Sequence, residues 1–343
     1  MFPADFAYAR ARSLDEALDL LDAAAEAGQE AKLIAGGQSL LPMMKLRLAA
    51  PGVLIDIAEL KELKTGGWYG PSHTLGSLTT YRQLGGQRPA YRNGPPAPAN
   101  GAAGLIGAAP ALGDALAVLA DPQVRARGTV GGAVAHGDPA ADLPAVLLAL
   151  DAEVVIAARP GRHEHKPAPR RFPDRGNGQR HQESGRESNV DSQTMLLDDF
   201  LQGIYATDLA EDEIITHIRI DTRDAAASAY EKFPHPASHL PLAGVCAVAL
   251  LSDGIIERAR VAVTGISPRP YRARETERLL RGASPAPDAI AAAAAAVTAT
   301  PGTATGQVSL LGDQHASAPY RAHLAEVLTR RALRRALERA GAA

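Results

Sequence analysis

"LIAGGQSLLPMMKLRLAAP", residues 33–51, joins a short apolar run to a basic, helix-like stretch through two adjacent glycines. Gly36 and Gly37 carry no Cβ, so the backbone there can turn tightly and come close to whatever faces it. Ser39 and the amides around it stand where an anion would be held at the start of a helix. The same pattern also serves an ordinary strand-to-helix turn. This stretch alone leaves both readings open.

Upstream, Ser13 is placed to cap a helix and Glu16 to complete a capping box. Leu14, Ala17, Leu18 and Leu21 then form an apolar stripe at helical spacing. "AKLI" before the glycines and "PGVLIDIAEL" after the helix read as strands, giving strand–turn–helix–strand near the N-terminus. "TLGSLTTYRQL" reads as a strand leading into a helix. Residues 88–110, rich in Pro, Gly and Ala, read as a loop. Residues 159–194 are polar and almost without aliphatics, which predicts a flexible insertion. Its His163 and His165 lack companions at metal-ligand spacing and read as parts of a solvated loop.

From residue 226 the texture changes to three β-like runs, with a hairpin turn at Ser252–Asp253–Gly254. An Ala-rich helix near 287–297 follows, and then a terminal helix carrying Leu324, Val327, Leu328 and Leu333 among many arginines. That helix reads as core packing with a solvated basic face.

Bulk properties narrow the function classes. A chain of 343 residues has room for two or three domains. A net charge of −2 argues against a nucleic-acid footprint. No apolar run is long enough to span a membrane. Charges occupy the N-terminal stretch where a signal peptide would have its apolar core, so a cytoplasmic location is expected. The single cysteine, Cys246, excludes an internal disulfide and any all-cysteine metal cluster within the chain.

A second Gly-Gly turn lies in "RARGTVGGAVAHGDPAADLPAVLLALDA", residues 125–152, with Thr129 before it and Asp142 opening a helix. Two such turns suit a ligand with two phosphates, whereas the single GxGxxG of the usual dinucleotide fold is absent. Three segments, "AGGQSLLPMMKLRLAAPGVLIDI", "ADPQVRARGTVGGAVAHGDPAADLPAVLLALDAEV" and "YEKFPHPAS", together resemble the FAD-binding medium subunit of the molybdenum hydroxylases. That family includes xanthine dehydrogenase and aerobic carbon monoxide dehydrogenase. "VTGISPRPYRARETERLLRG" and "DQHASAPYRAHLAEVLTRRAL" are similar to its flavoprotein C-terminal domain. The likeness covers nearly the whole chain except about 88–110 and 159–194.

The resemblance implies an α+β chain with a two-subdomain FAD-binding fold of the vanillyl-alcohol-oxidase type. Its subdomains would span 1–58 and 59–222, with 159–194 as the insertion. A smaller α+β domain at 226–343, with a three-stranded antiparallel sheet and helices, would follow. Both glycine loops would wrap the pyrophosphate of FAD. The first is Leu33, Ile34, Ala35, Gly36, Gly37, Gln38, Ser39 and Leu40, with the amides of Ala35 to Ser39 meeting phosphate oxygens. The second is Thr129, Val130, Gly131, Gly132 and Ala133. Asp142 sits where the family hydrogen-bonds the sugar or adenine part of the cofactor, or is simply a helix cap. Leu119 and Ile215 match positions of apolar cofactor contact, or are core residues. Lys232 is a partner for the N1–C2=O edge of the flavin, or a surface lysine. His136 and Asp138 stand within approach of the cofactor. Tyr205 lies near the isoalloxazine or is a packed tyrosine.

The chain departs from the family pattern in two places: the insertion is longer than the family needs, and Gln38 replaces a histidine or asparagine. Some relatives add an iron–sulfur cluster within this subunit, and a single cysteine rules that out here. No acid–base set points to substrate chemistry, in keeping with a flavin that carries the reaction. The resemblance thus implies an electron-transfer subunit in a dimer of heterotrimers. A large molybdenum–pterin subunit would oxidise the substrate, and a small subunit with two [2Fe–2S] clusters would pass electrons to FAD. FAD would then reduce an external acceptor. The alternatives are a stand-alone FAD-dependent oxidoreductase of the same fold and a nucleotide-binding scaffold.

Overall fold

The computed structural model describes residues 2–86, 102–161, 189–300 and 306–342. Its first unit is β1 (Ala7–Arg10), α1 (Leu14–Glu26), β2 (Ala31–Ile34), α2 (Leu40–Lys45) and β3 (Val53–Asp56), with the strands parallel in the order β1-β3-β2. Ser13 Oγ accepts from the Glu16 amide at 3.1 Å. The Glu16 carboxylate returns to the Arg12 amide, one residue short of a reciprocal capping box. The predicted stripe works as an amphipathic face: Ala17, Leu18 and Leu21 bury against Ile55 and Ile57.

The second unit carries β4 (Gly67–Tyr69), β5 (Ser72–Gly76), α3 (Tyr81–Leu84), α4 (Ala102–Ala108), α5 (Pro110–Val118), α6 (Pro122–Arg127), α7 (Val130–His136) and α8 (Asp142–Ala149). It continues with β6 (Glu153–Ala158), β7 (Asp191–Leu196), α9 (Leu197–Phe200), β8 (Leu201–Gly203), β9 (Ala206–Thr207) and β10 (Ile214–Asp221). Its main sheet is antiparallel, in the order β4-β5-β10-β6-β7. Leu112, Leu143, Leu147, Ile156 and Ile218 share the core between helices and sheet, and all eight residues of α8 are buried.

Two expectations about loops change here. Residues 102–108, expected in a loop, are the helix α4, because Leu105 finds a fully buried site that outweighs its glycine neighbours. Residues 191–194 belong to β7, paired to β6, and Arg159 docks on Asp15 and Asp19 of α1. Residues 162–188 of the expected insertion, with His163 and His165, lie outside the described residues.

The third unit is β11 (Ser228–Pro234), β12 (Pro241–Ser252), β13 (Ile255–Thr264), β14 (Tyr271–Arg272), α10 (Arg274–Leu280), α11 (Pro287–Ala295) and α12 (Ala318–Arg339). The antiparallel sheet has four strands where three were expected: the two-residue β14 pairs with Ala262 and Val263, too short a segment to leave a periodic signal. Asp253 and Gly254, at φ 51° and 76°, make the hairpin turn between β12 and β13. Leu324, Leu328 and Leu333 of α12 bury in the core of this unit. Among the described residues, no helix is long and apolar enough to cross a membrane.

Burial lowers the proton affinity of His73, His136 and His217; the Arg219 charge adds to the effect at His217, and Asp138 opposes it at His136. The folded chain therefore binds fewer protons than the unfolded chain below the ordinary histidine value of 6.5. Stability is full above that value and is lost as the pH falls through it. Melts followed by circular dichroism should show Tm level from pH 8 to 7 and declining towards pH 5.5. A Tm that holds or rises on acidification would contradict this account.

Candidate functional site

Gly36 and Gly37 act differently. Gly37 has φ 72°, in the left-handed region where a Cβ is strained. Gly36 lies against the chain just before the second loop: a Cβ there would sit 2.1 Å from the carbonyl oxygen of Arg127 and 3.1 Å from Gly128 Cα. The first loop is therefore pressed onto the approach to the second. This contact, absent from any local pattern, brings the two glycine motifs together.

Hydrogen bonding separates the loops further. Leu33 and Ile34 are the last residues of β2, and Leu40 opens α2. Among the described residues, the amides of Ala35, Gly36, Gly37, Gln38 and Ser39 donate to no acceptor in the chain, and the Ser39 side chain makes no capping bond. Five consecutive donors are left without an acceptor along one turn, and successive free amides of this kind can receive an anion.

The second loop differs from the first in where its amides go. The Val130 amide donates to Thr79 O at 3.0 Å and the Gly131 amide to Ser77 O at 2.8 Å. The Gly132 amide donates to Thr129 Oγ1 at 3.1 Å, and the Ala133 amide to Thr129 O at 3.1 Å. These four donors close a bridge to the 77–80 segment and the first turn of α7, and among the described residues only the Thr129 amide of this loop is left without an acceptor. Gly131 permits that approach, since a Cβ would fall 2.5 Å from Ser77 Cβ.

Asp142, expected at the sugar or adenine part of the cofactor or as a helix cap, and Lys232, expected at the flavin edge or as a surface lysine, come together. Their side chains pair with each other at 2.9 Å, and are 4% and 2% exposed. Asp142 also accepts from the Tyr230 hydroxyl at 2.7 Å, and Lys232 Nζ donates to Val118 O at 3.2 Å. Burial pushes the Asp142 carboxyl up, against the opposing pull of Lys232 and Tyr230. Gly244 leaves room for Tyr230: a Cβ there would stand 2.4 Å from its hydroxyl oxygen.

Leu119 and Ile215 are both buried in the main core. At the end of α7, the His136 and Tyr205 rings lie 4.9 Å apart, and the Tyr205 amide donates to Gly137 O at 3.1 Å. Tyr205 is exposed, with φ 51°, so this aromatic is presented to the surface and not packed away. Asp138 Oδ1 accepts from the Ala140 amide at 2.8 Å, fixing the turn that leads to α8.

Sequence reasoning missed Tyr81, whose amide donates to Gly128 O at 3.0 Å and whose ring fills the space beside Gly128. Burial, with Asp142 and Asp138 nearby, holds its phenol protonated. It also missed Thr264, whose hydroxyl donates to Pro139 O at 2.8 Å and Ala141 O at 3.0 Å. These contacts span long sequence separations and leave no motif.

FAD fits these features: an unpartnered row of amides for a pyrophosphate, on a turn whose Gly36 lets the first loop close against the second. Comparison with known proteins agrees. Residues 4–176 match the family described as the FAD binding domain in molybdopterin dehydrogenase, and residues 228–336 match the CO dehydrogenase flavoprotein C-terminal domain. The chain is 32% identical to the carbon monoxide dehydrogenase medium chain of Hydrogenophaga pseudoflava, over 99% of each chain. It is 28% identical to the glyceraldehyde dehydrogenase medium chain of Sulfolobus acidocaldarius, over 97% of this chain and 99% of that one. Among solved structures, carbon monoxide dehydrogenase from Hydrogenophaga pseudoflava lacking the Mo-pyranopterin moiety superposes with a TM-score of 0.76, covering 99% of each chain at 32% identity.

Proposed function

Because the chain belongs to the family of FAD-binding medium subunits of molybdopterin dehydrogenases, we propose that it is the electron-transfer subunit of a molybdenum-containing hydroxylase or dehydrogenase. In this reading a small partner carrying two [2Fe–2S] clusters delivers electrons to FAD held here. A large partner carrying a molybdenum–pterin cofactor oxidises the substrate, and an external acceptor removes the electrons. The assembly is a heterotrimer that doubles, and its setting is the cytoplasm.

The observation that carries this reading is the row of five unpartnered amides at Ala35–Ser39 beside the second glycine loop. Those donors hold the pyrophosphate, and the loop of Thr129, Val130, Gly131, Gly132 and Ala133 walls the site. His136, the last residue of the helix that this loop opens, and Tyr205, whose ring lies against it, serve the flavin end in this reading. When bound, FAD supplies the redox chemistry. This chain's residues bind it, orient it and screen it from water. Medium chains so alike in length serve enzymes named for carbon monoxide and for glyceraldehyde. Substrate choice therefore belongs to the large partner.

The test is titration of FAD into the purified full chain, followed by its visible spectrum and by release of the cofactor. The expected result is one FAD per chain with the spectrum of a bound flavin. A well-folded chain that leaves added FAD free would remove the reading.

A further inference from the structure

Lys232 belongs to β11 of the C-terminal unit, yet every polar contact of its ammonium lies in the middle unit. It meets Val118 O, at the end of α5, and both carboxylate oxygens of Asp142, at the start of α8. In sequence, these two points bracket the second glycine loop. The upstream side runs from Val118 through α6 to Arg127 and Gly128, where the first loop is pressed on. The downstream side runs from α7 through residues 137–142, and the C-terminal unit pins it again. There Thr264 donates to Pro139 O and Ala141 O, and the Gly265 amide donates to Pro139 O at 2.8 Å.

We infer that Lys232, oriented by Asp142 and Tyr230, is a positioning residue through which the C-terminal domain sets the spacing of the two glycine loops and hence the affinity for FAD. The inference rests on the FAD reading above and goes beyond it, since it makes the C-terminal domain part of the cofactor site. The physical ground is directional. An ammonium held by a carboxylate and a main-chain carbonyl fixes two segments relative to a strand, whereas apolar contact between the same segments lets them slide. Binding and docking are then linked: FAD should tighten the contact of β11 with α5 and α8, and loosening that contact should weaken FAD.

The full-length chain provides the test. Lys232→Met alone leaves a buried carboxylate unpaired and invites misfolding. The informative variant is therefore Lys232→Met combined with Asp142→Leu, because buried ion pairs replaced by apolar groups of similar volume often keep their stability. Expected is at least a tenfold rise in the FAD Kd with a folded apo chain of modestly lower Tm, because the buried Tyr230 hydroxyl loses its acceptor. Arg269→Met, which breaks a different interdomain contact, Arg269 to Asp198 at 3.1 Å, should leave the Kd within about twofold. Wild-type affinity in the double variant, or an equal loss in Arg269→Met, would overturn the inference. Hydrogen exchange on the wild-type chain gives a second readout that no folding defect can obscure. On adding FAD, amides of residues 230–232 should gain protection together with the glycine loops. Protection confined to the loops overturns the inference. A wild-type chain that binds no FAD would remove the cofactor reading and this inference with it, whereas wild-type binding with unaffected variants removes only the inference.

Discussion

Replacing Gly36 with alanine is expected to destabilise the chain and abolish FAD binding together. The added Cβ would meet the Arg127 carbonyl oxygen at 2.1 Å and its carbon at 2.8 Å. Both are backbone atoms, so no side chain can swing aside. Separation of the loops by about an ångström is the remaining relief, and it opens the face on which the five free amides depend. Overpacking a tight site costs about 1–3 kcal/mol, and a backbone-on-backbone clash belongs at the top of that range. For a unit of this size, ~3 kcal/mol corresponds to a fall in Tm of roughly 6–12 °C. The control is Gly107→Ala in α4, where an added Cβ meets nothing within 4 Å. It should be neutral or stabilising by up to about 1 kcal/mol, from helix propensity alone. Melts and FAD titrations of the two variants decide the matter. Full FAD affinity in Gly36→Ala would show that the loops need not touch.

The sequence made legible those parts whose cause is local. The apolar stripe of α1, the glycine turn into α2 and the hairpin at Asp253–Gly254 each follow from residues within one or two turns of the chain. The pairing of the glycine motifs was also visible, through the resemblance. Their unequal roles were not visible, because the acceptors for the Val130 and Gly131 amides, Thr79 and Ser77, lie about 50 residues upstream in sequence. Asp142 and Lys232 were both singled out, yet nothing in either neighbourhood shows that 90 residues of chain fold back to pair them. Tyr81 and Thr264 went unnoticed for the same reason. An α4 rich in glycine was hidden by its own propensities and is selected by burial of Leu105.

Arg272→Met is expected to lower stability more than it lowers FAD affinity, and that difference locates its role. Arg272 sits in β14 with its side chain 4% exposed. It donates Nε to Glu277 at 2.6 Å, Nη1 to Leu148 O at 3.1 Å, and Nη1 to the Asp151 carboxylate. Burial works against its charge, but the carboxylates of Glu277 and Asp151 hold the guanidinium protonated more firmly than usual. Removing one partner of such a buried set costs about 3–5 kcal/mol. The lower part of that range applies, because Asp151 keeps Arg260 at 3.2 Å and Glu277 keeps Arg274 at 3.6 Å. Arg272→Lys should recover only part of the loss, since a point charge cannot fork towards Glu277 and Asp151 at once. The position explains the expected selectivity. Arg272 grips the end of α8, at Leu148 and Asp151, while Lys232 grips its beginning at Asp142. A helix of eight residues separates the two grips by about 12 Å. Slackening the far grip therefore weakens the domain contact while the glycine loops keep their spacing. Denaturant unfolding should show the loss in stability, and FAD titration should show a Kd within a few-fold of wild type. If both fall together, α8 transmits strain along its whole length and the two grips form a single device.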